Sequence, residues 1–526
     1  MKKIFSDKAF VIELIGFVLL QIFIDMYRTF FESKYQLLGL SLPELINLGY
    51  IAFLSLIFFI KNLKTPKRYI PLIVYLVLFL AYCTLHVLNV LNFDQTLLTG
   101  SEPNWFKEIY FIVRTYLIPI LLCYYFLCST LTLPVFKKTI SITSLIISLN
   151  IILTNIFKIS FICYASALEK NTFITRNFFE WFFNPDLESP MYMTSKGWFY
   201  MGNQIGITLF MLFVFVLMNA LESGKIKHYV LVFLNGLALV MIGTKVSTLG
   251  CCIVLFAGIL FALLFGIWLK QFSFKLKHFA AYTIITVLLC VSISYSPMYS
   301  VQQDRNEAAV ITEEQKEVTE ILATKLEEII QQENDNQQET PDNSITSAKK
   351  EEFKKEFSDY LNSAPYFFGI HPDFLKIFPV EENFDFWYDI AINGNNQQID
   401  YRYLKTLIHE KVLDENHNET SDRLLGIGYV SNFPYSERDF VSQNIWFGYL
   451  GTLLLIGPYL LIIAYGIFLA LKKIKTCFTF QNAFFALAVC GSIAISYLAG
   501  HLFYGIFSIT IFAYISAAFH NYQKER

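Results

Sequence analysis

A chain of 526 residues in which 55% are hydrophobic and only 16% charged, with a positive mean hydropathy, lies outside the range of a soluble globular protein. It reads as an all-α polytopic membrane protein. Its net charge of −2 supports no nucleic-acid partner, because in such chains the placement of Lys and Arg outweighs their sum. The nine cysteines fall almost entirely in apolar runs and none lies in the one long polar insert, which excludes a disulfide-stapled external domain. No Cys/His spacing fits a zinc site, and no metal or cofactor is expected.

A spanning helix needs about 20 mostly apolar residues, and about twelve stretches meet that measure. They lie near 9–27, 43–60, 69–91, 109–128, 139–163, 204–221, 229–243, 246–269, 278–297, 444–470, 481–499 and 502–519. The start, Met1-Lys2-Lys3 before an apolar run, mimics a signal peptide but lacks a small-x-small cleavage site before Tyr27-Arg28. It is read as an uncleaved first span. Basic residues alternate between loops: Lys2, Lys3 and Lys8; then Lys61, Lys64, Lys67 and Arg68; then Lys137 and Lys138. The alternation continues through Lys225, Lys227, Lys270, Lys275 and Lys277 to Lys472, Lys473, Lys475, Lys524 and Arg526. The positive-inside rule then puts both termini in the cytoplasm and leaves two sizeable segments outside. The organisation expected is 1–297 with nine spans and an outer loop over 164–203, a large external loop over 298–443, and three spans over 444–526.

Within the external loop, Thr312-Glu313-Glu314-Gln315 reads as a capping box opening a helix with Val318, Ile321, Leu322, Leu326, Ile329 and Ile330 on one face. A polar low-complexity stretch from Gln331 to Thr346 follows, then a second amphipathic helix presenting Phe353, Phe357, Tyr360 and Leu361. Phe367 to Tyr388 is aromatic and broken by Pro372 and Pro379, and Asp400 is placed to cap a third helix that begins Tyr401-Arg402. No internal repeat is present in the sequence.

Charged groups near spans are costly unless they reach the interface or a polar cavity, so they are functional candidates. Arg114 lies about a turn inside the outer end of the fourth span, where snorkelling to lipid phosphate explains it equally well. Lys245 sits in the minimal outer hairpin Gly243-Thr244-Lys245, against the simple alternative of an interfacial anchor. The loop before the sixth span carries Lys196, Trp198, Tyr200 and Asn203, which also suit an aromatic belt and a helix cap. Arg176 stands mid-loop among Phe173, Phe178 and Phe179, a weaker candidate whose position suits a surface ion pair better than a site. In the insert, Arg402 and Arg423 offer planar guanidinium forks that hold phosphate at any working pH. Glu437 and Asp439 precede the tenth span, where each can accept a proton, bind a sugar hydroxyl, or cap the helix. The aromatics Phe384, Phe386, Trp387 and Tyr388 suit sugar stacking or plain packing.

The order Lys-Gly-Trp-Phe and Gly-Asn-Gln before a span, Gly-Thr-Lys between two spans, Arg402 in a large outer loop, and then Leu424-Leu425-Gly426-Ile427-Gly428-Tyr429, Ser436-Glu437-Arg438-Asp439-Phe440 and Phe447-Gly448-Tyr449-Leu450-Gly451 resembles the Wzy and O-antigen-ligase family of bacterial polysaccharide polymerases and ligases. The Gly-Ile-Gly-Tyr to Glu-x-Asp block looks most like the branch found in capsule and exopolysaccharide loci. The resemblance implies a GT-C-like helical glycosyltransferase of the bacterial plasma (inner) membrane. It would use undecaprenyl-pyrophosphate-linked oligosaccharide as substrate, with metal-independent inversion, no nucleic acid, and a flippase and a chain-length regulator as partners.

By that resemblance Lys245, Arg402 and Arg423 match cations that hold the donor pyrophosphate, with Arg114, Arg176, Lys196 and Asn203 as further substrate contacts. Arg402, Glu437 and Asp439 would be the catalytic set. Many ligases carry a histidine where this chain has Glu437 and Asp439, which leans the reading toward a polymerase. The alternatives are ligation of a finished glycan, a polysaccharide transporter or flippase, and a scaffold.

Overall fold

The computed structural model describes residues 6–31, 36–37, 40–94, 97, 102–163, 172–183, 190–272 and 276–301, and in the insert 317–318, 320–329, 331, 343–365, 370, 372–393, 401–416 and 419–430, followed by 438–473 and 477–525. Among these residues ten helices are long and apolar enough to cross a bilayer, and the only paired strands are a two-residue hairpin, Gln36–Leu37 with Leu40–Ser41. The all-helical polytopic fold follows. The Thr312 capping box, the Asp400 cap and Glu437 lie outside the described residues.

The first helices are α1 (Asp7–Phe30), α2 (Leu42–Asn62), α3 (Pro66–Leu91), α4 (Trp105–Leu127) and α5 (Leu133–Ile156). After the segment over 157–201 come α6 (Gly202–Ser223), the shorter α7 (Ile226–Ile242), α8 (Lys245–Trp268) and α9 (Leu276–Ser294). The insert contributes α10 (Asn343–Ser363), α11 (Tyr401–Glu415) and α12 (Glu419–Leu425). The chain closes with α13 (Asp439–Leu455), α14 (Gly457–Lys472), α15 (Phe480–Leu498) and α16 (Ile506–Glu525). Each apolar stretch read from the sequence coincides with one of these helices, except that 444–470 spans the α13–α14 pair.

Polar residues at the helix starts satisfy backbone N–H groups that lack a partner within the helix. Ser6 accepts from Ala9, Asn104 from Lys107 at 3.0 Å, and Thr244 from Ser247. Gly243, at φ +67°, ends α7 and lets Thr244 cap α8 at once, so the turn between them is minimal. At the centre, α6 is buried along its whole length, with α5, α7, α8, α15 and α16 packed around it. A helix that is apolar on every side belongs at such a core, and its N-terminal end fixes where Asn203 stands.

The basic loops gather at one end of the bundle. Lys61 pairs with Asp7, the Tyr124 hydroxyl donates to the Arg68 carbonyl, and Lys137 pairs with Glu222, which also accepts from Gln481. The insert and the 190–202 segment join the opposite end.

Helix α13 is broken inside the bundle. Gly448 takes φ +63° and ψ −177°, and the exposed backbone there pairs with the end of the insert: Ile427 N–H donates to the Ile445 carbonyl and Gly428 N–H to the Trp446 carbonyl, both at 3.0 Å. The approach leaves no room for side chains. A Cβ on Gly426 would stand 2.2 Å from the Trp446 oxygen, and one on Gly448 would stand 2.3 Å from the Leu424 carbonyl carbon. The Gly-Ile-Gly motif is thus a backbone-to-backbone joint.

In the insert, Phe353, Phe357, Leu361, Phe384 and Trp387 are buried against one another, and the Trp387 indole donates to the Phe378 carbonyl at 2.7 Å. Packing occupies most of the aromatic cluster, with Phe386 and Tyr388 half-buried at its edge. His409 of α11 is 2% exposed and its ring nitrogens find no hydrogen-bond partner among the described residues. Burial, reinforced by the Lys405 charge one turn away, pushes its pKa down to about 4.

Two outcomes follow from this packing. Gly426→Ala or Gly448→Ala should cost about 3 kcal/mol or more in a detergent-solubilised thermal melt, whereas Gly49→Ala, with nothing within 4 Å of the added carbon, should not destabilise. Because unfolded His409 binds a proton below about 6.5 and the folded residue only below about 4, stability should fall as pH drops through that window, by up to about 3 kcal/mol, and His409→Leu should flatten the profile.

Candidate functional site

At the insert end, three irregular segments meet: residues 194–201, 426–430 and 499–505. Each is held by a buried carboxylate from a different helix. Asp25 of α1 accepts from the Tyr200 N–H at 2.9 Å. Glu108 of α4 accepts from the Tyr429 and Val430 N–H groups at 2.7 and 3.0 Å, and His86 Nε2 lies 3.2 Å from it. Asp439, the first residue of α13, accepts from the Ser496 hydroxyl at 2.7 Å and from the His501, Leu502 and Phe503 N–H groups at 2.9, 2.8 and 3.1 Å. Backbone that leaves the helix at this depth must find such acceptors.

The same segments present cations and aromatic rings. Lys196 is buried, and its ammonium donates to the Tyr200 carbonyl at 2.9 Å. The Arg28 guanidinium lies over the Tyr200 ring at 4.7 Å, and both cations are within electrostatic range of Asp25. Arg28 is half-buried and makes no ion pair or hydrogen bond with a described residue. Arg114 rides on a π-helical turn, Val113–Leu117, that turns it toward the Tyr110 and Phe111 rings at 5.8 and 5.6 Å. Its closest carboxylate oxygen, on Glu44, is 3.7 Å away, and its buried Nε has no hydrogen-bond partner. Tyr110 is within electrostatic range of both arginines.

Tyr429 stacks on Phe111 at 3.7 Å with the planes 3° apart, and its hydroxyl meets that of Tyr504 at 3.0 Å. Tyr504 is in turn within range of Arg114 and Tyr200. Behind these rings the Asn203 amide nitrogen lies 3.1 Å from His501 Nε2. His501 takes φ +73°, an uncommon conformation for a residue with a side chain, and the Asp439 bonds hold it there. A second polar seam anchors the insert: Asn89 donates to Asp422 at 2.7 Å and to the Gly426 carbonyl at 3.0 Å, and Asn416 donates to Asp422. Burial lifts the Asp422 carboxyl above its ordinary pKa, and the two amides oppose that rise.

Of the residues singled out in the sequence, Arg114, Lys196 and Asn203 converge on this space. Asp439 stands behind it with its carboxylate committed to the 501–503 backbone. Lys245, the first residue of α8, is exposed at the same end and paired with no described residue. Arg423 pairs with Asp414 at 2.6 Å on the insert surface, and Arg176 lies beside Glu180, which also binds Lys158 at 2.6 Å. Glu437 and the Arg402 side chain lie outside the described residues. Among the described residues no group of three or more His, Cys, Asp or Glu is arranged to hold a metal.

Arg28, His501, Tyr429 and Tyr504 were not singled out. A signal for the first did exist: Asp25 and Arg28 lie three apart in the last turn of an apolar helix, where ionisable groups are rarely idle. His501 falls between two apolar stretches separated by a couple of residues, so its loop reads as a simple turn.

A family model described as "O-antigen ligase like membrane protein" matches residues 8–370 and 395–522. No curated protein and no solved structure matches the chain.

The hydrogen bonds of Asp439 give a separable expectation. Asp439→Asn removes a charged acceptor from buried donors and should cost about 3 kcal/mol, read as a drop of several degrees in the melting temperature. An unchanged melt with loss of activity would instead assign the carboxylate to proton transfer.

Proposed function

The chain belongs to the family of O-antigen ligase like membrane proteins, and from that premise we propose that it is a glycosyltransferase that moves a glycan from a polyprenyl (undecaprenyl) pyrophosphate carrier to an acceptor sugar. The observation that carries this reading is the pair Arg28 and Arg114. Both guanidiniums are half-buried at the insert end, within electrostatic range of Tyr110, and neither hydrogen-bonds to a described residue. Buried donors left open in a protein ask for a ligand. A pyrophosphate, anionic and rich in acceptor oxygens, matches two planar forks.

The chemistry then follows. As the carrier leaves, negative charge grows on its pyrophosphate, and cations fixed in a partly dehydrated space stabilise that charge in the transition state. No metal is needed to supply it. The acceptor hydroxyl attacks from the opposite face of the sugar, inverting the anomeric centre, and its proton passes to a general base as the carrier pyrophosphate departs. Tyr200, Tyr429 and Tyr504 supply faces and hydroxyls for the glycan. Lys196, Lys245, Arg176, Arg402, Arg423 and Glu437 are assigned to the approach of donor and acceptor, and Asp439 to holding His501.

Polymerisation of repeat units is the reaction we favour, on the resemblance of the Gly426 to Asp439 block to capsule and exopolysaccharide polymerases; the arrangement is then GT-C-like with about twelve spans. Ligation of a finished glycan is the second reading, and the family's description favours it. The basic end would face the cytoplasm, with both termini, and the site would open on the outer face of the plasma membrane. A flippase and a chain-length regulator would act before and beside it.

Deleting the chromosomal copy and analysing carrier-linked glycans by mass spectrometry tests both readings. Single repeat units that return to polymer with the wild type indicate polymerase, and long carrier-linked chains indicate ligase; an unchanged pool would refute both. Arg28→Ala and Arg114→Ala should each lower transfer about 100-fold or more while costing only about 1 kcal/mol in thermal stability, the cation–π contacts they give up.

A further inference from the structure

At the end of the bundle away from the candidate site, a cavity of about 770 Å³ opens between α5, α6 and α7. Its rim is cationic. Lys137 and Lys138 come from the first turns of α5, Lys225 caps α7 and Lys227 lies in its first turn. Glu222 neutralises Lys137. Lys138, Lys225 and Lys227 are exposed and paired with no described residue, which leaves three uncompensated positive charges around one opening.

The depth of the cavity is different in character. Asn219 is only 6% exposed, and its amide nitrogen reaches Ser141 Oγ at 3.4 Å while its carbonyl oxygen finds no donor. A buried acceptor without a donor is costly, and inside a cavity a hydroxyl or amine of a ligand relieves it. Along the side that faces the membrane, Ile142, Leu145 and Val230 line the cavity and are 39%, 40% and 50% exposed. The slot is therefore basic at the water interface, polar inside, and apolar where it opens toward hydrocarbon.

We propose that this slot binds an anionic glycerophospholipid: the phosphodiester lies among Lys138, Lys225 and Lys227, a headgroup hydroxyl donates to Asn219 Oδ1, and the acyl chains run along Ile142, Leu145 and Val230. Lysine suits this ligand because its ammonium is a compact point charge that needs no bidentate geometry. Basic clusters between helices at the membrane surface gain affinity for anionic headgroups additively, by about fivefold per lysine. Phosphatidylglycerol carries both the single negative charge and the hydroxyls. The binding is independent of glycosyl transfer at the other end.

The test uses the full chain in nanodiscs of phosphatidylcholine doped with phosphatidylglycerol, with bound lipid read by native mass spectrometry after stepwise delipidation. Wild type should retain phosphatidylglycerol, and Lys138→Gln/Lys225→Gln/Lys227→Gln should lower apparent affinity about 100-fold with an unchanged melt, since all three side chains are exposed. Lys64→Gln/Lys67→Gln/Lys472→Gln, which changes lysines outside the slot, should retain the lipid as wild type does. Asn219→Ala should reduce the preference for phosphatidylglycerol over phosphatidic acid, which lacks the headgroup hydroxyls. Equal retention by the slot variant and wild type would overturn the proposal, and so would equal loss in the control variant. Displacement of the lipid by inorganic phosphate alone would make the slot a soluble-phosphate site and overturn the lipid as its ligand.

Discussion

A carboxylate buried at the end of a helix, holding the backbone of a segment that has left helical geometry, is the interaction on which the insert end of this protein depends. Asp25, Glu108 and Asp439 each do this for a different segment. In a hydrocarbon environment a non-helical N–H has no water to turn to, so the loops that line a site must be satisfied from inside the protein. An ionised acceptor suits several donors at once: Asp439 takes three backbone N–H groups and a hydroxyl, which spreads its charge over four hydrogen bonds. The same bonds fix His501 in a conformation it would not adopt alone.

This use of the acids has an electrostatic consequence. With Asp25 bonded to the Tyr200 amide and Glu108 bonded to the 429–430 amides, those carboxylates are not hydrogen-bonded to the neighbouring arginines. Glu44 is divided as well, since its Oε2 accepts from the Ser41 N–H at 2.6 Å while its Oε1 stands 3.7 Å from Arg114. Aromatic faces, not oxygen atoms, are what Arg28 and Arg114 mainly meet. A ring face attracts a cation without using its N–H donors, so the guanidinium edges stay available.

The fold was legible in the sequence because an apolar run of spanning length needs no periodicity to be recognised, and alternating Lys clusters order the runs. The Gly448 break was hidden inside one such run, since hydropathy is blind to a single positive φ. Gly426 and Gly428 stood out as a motif, yet the close contact of Gly426 with the α13 backbone depends on a partner some 20 residues further along, and Gly428, at φ +86°, is crowded by Val90 and Glu108, which lie more than 300 residues earlier. At the site, Arg114, Lys196 and Asn203 were legible as polar groups at span ends. Arg28 was passed over as the ordinary end of a span although Asp25 stands one turn before it, and His501 as a turn, because the acid that holds it, Asp439, lies some 60 residues away and reads as a helix cap.

The joint between the insert and α13 explains why the Gly-Ile-Gly-Tyr block and the tenth span belong together. Pairing of residues 427–428 with 445–446 leaves Tyr429 no choice of position: it emerges from the joint onto Phe111, with its hydroxyl against Tyr504. Tyr82 reinforces the joint by donating to the Phe447 carbonyl at 2.8 Å, next to the Gly448 break. The insert is thus tied to the bundle through its last residues, next to the arginines. Among the described residues α12 is anchored twice over, by the Asn89 amide on Asp422 and the Gly426 carbonyl and by the 427–428 pairing with α13, and both anchors lead to Tyr429.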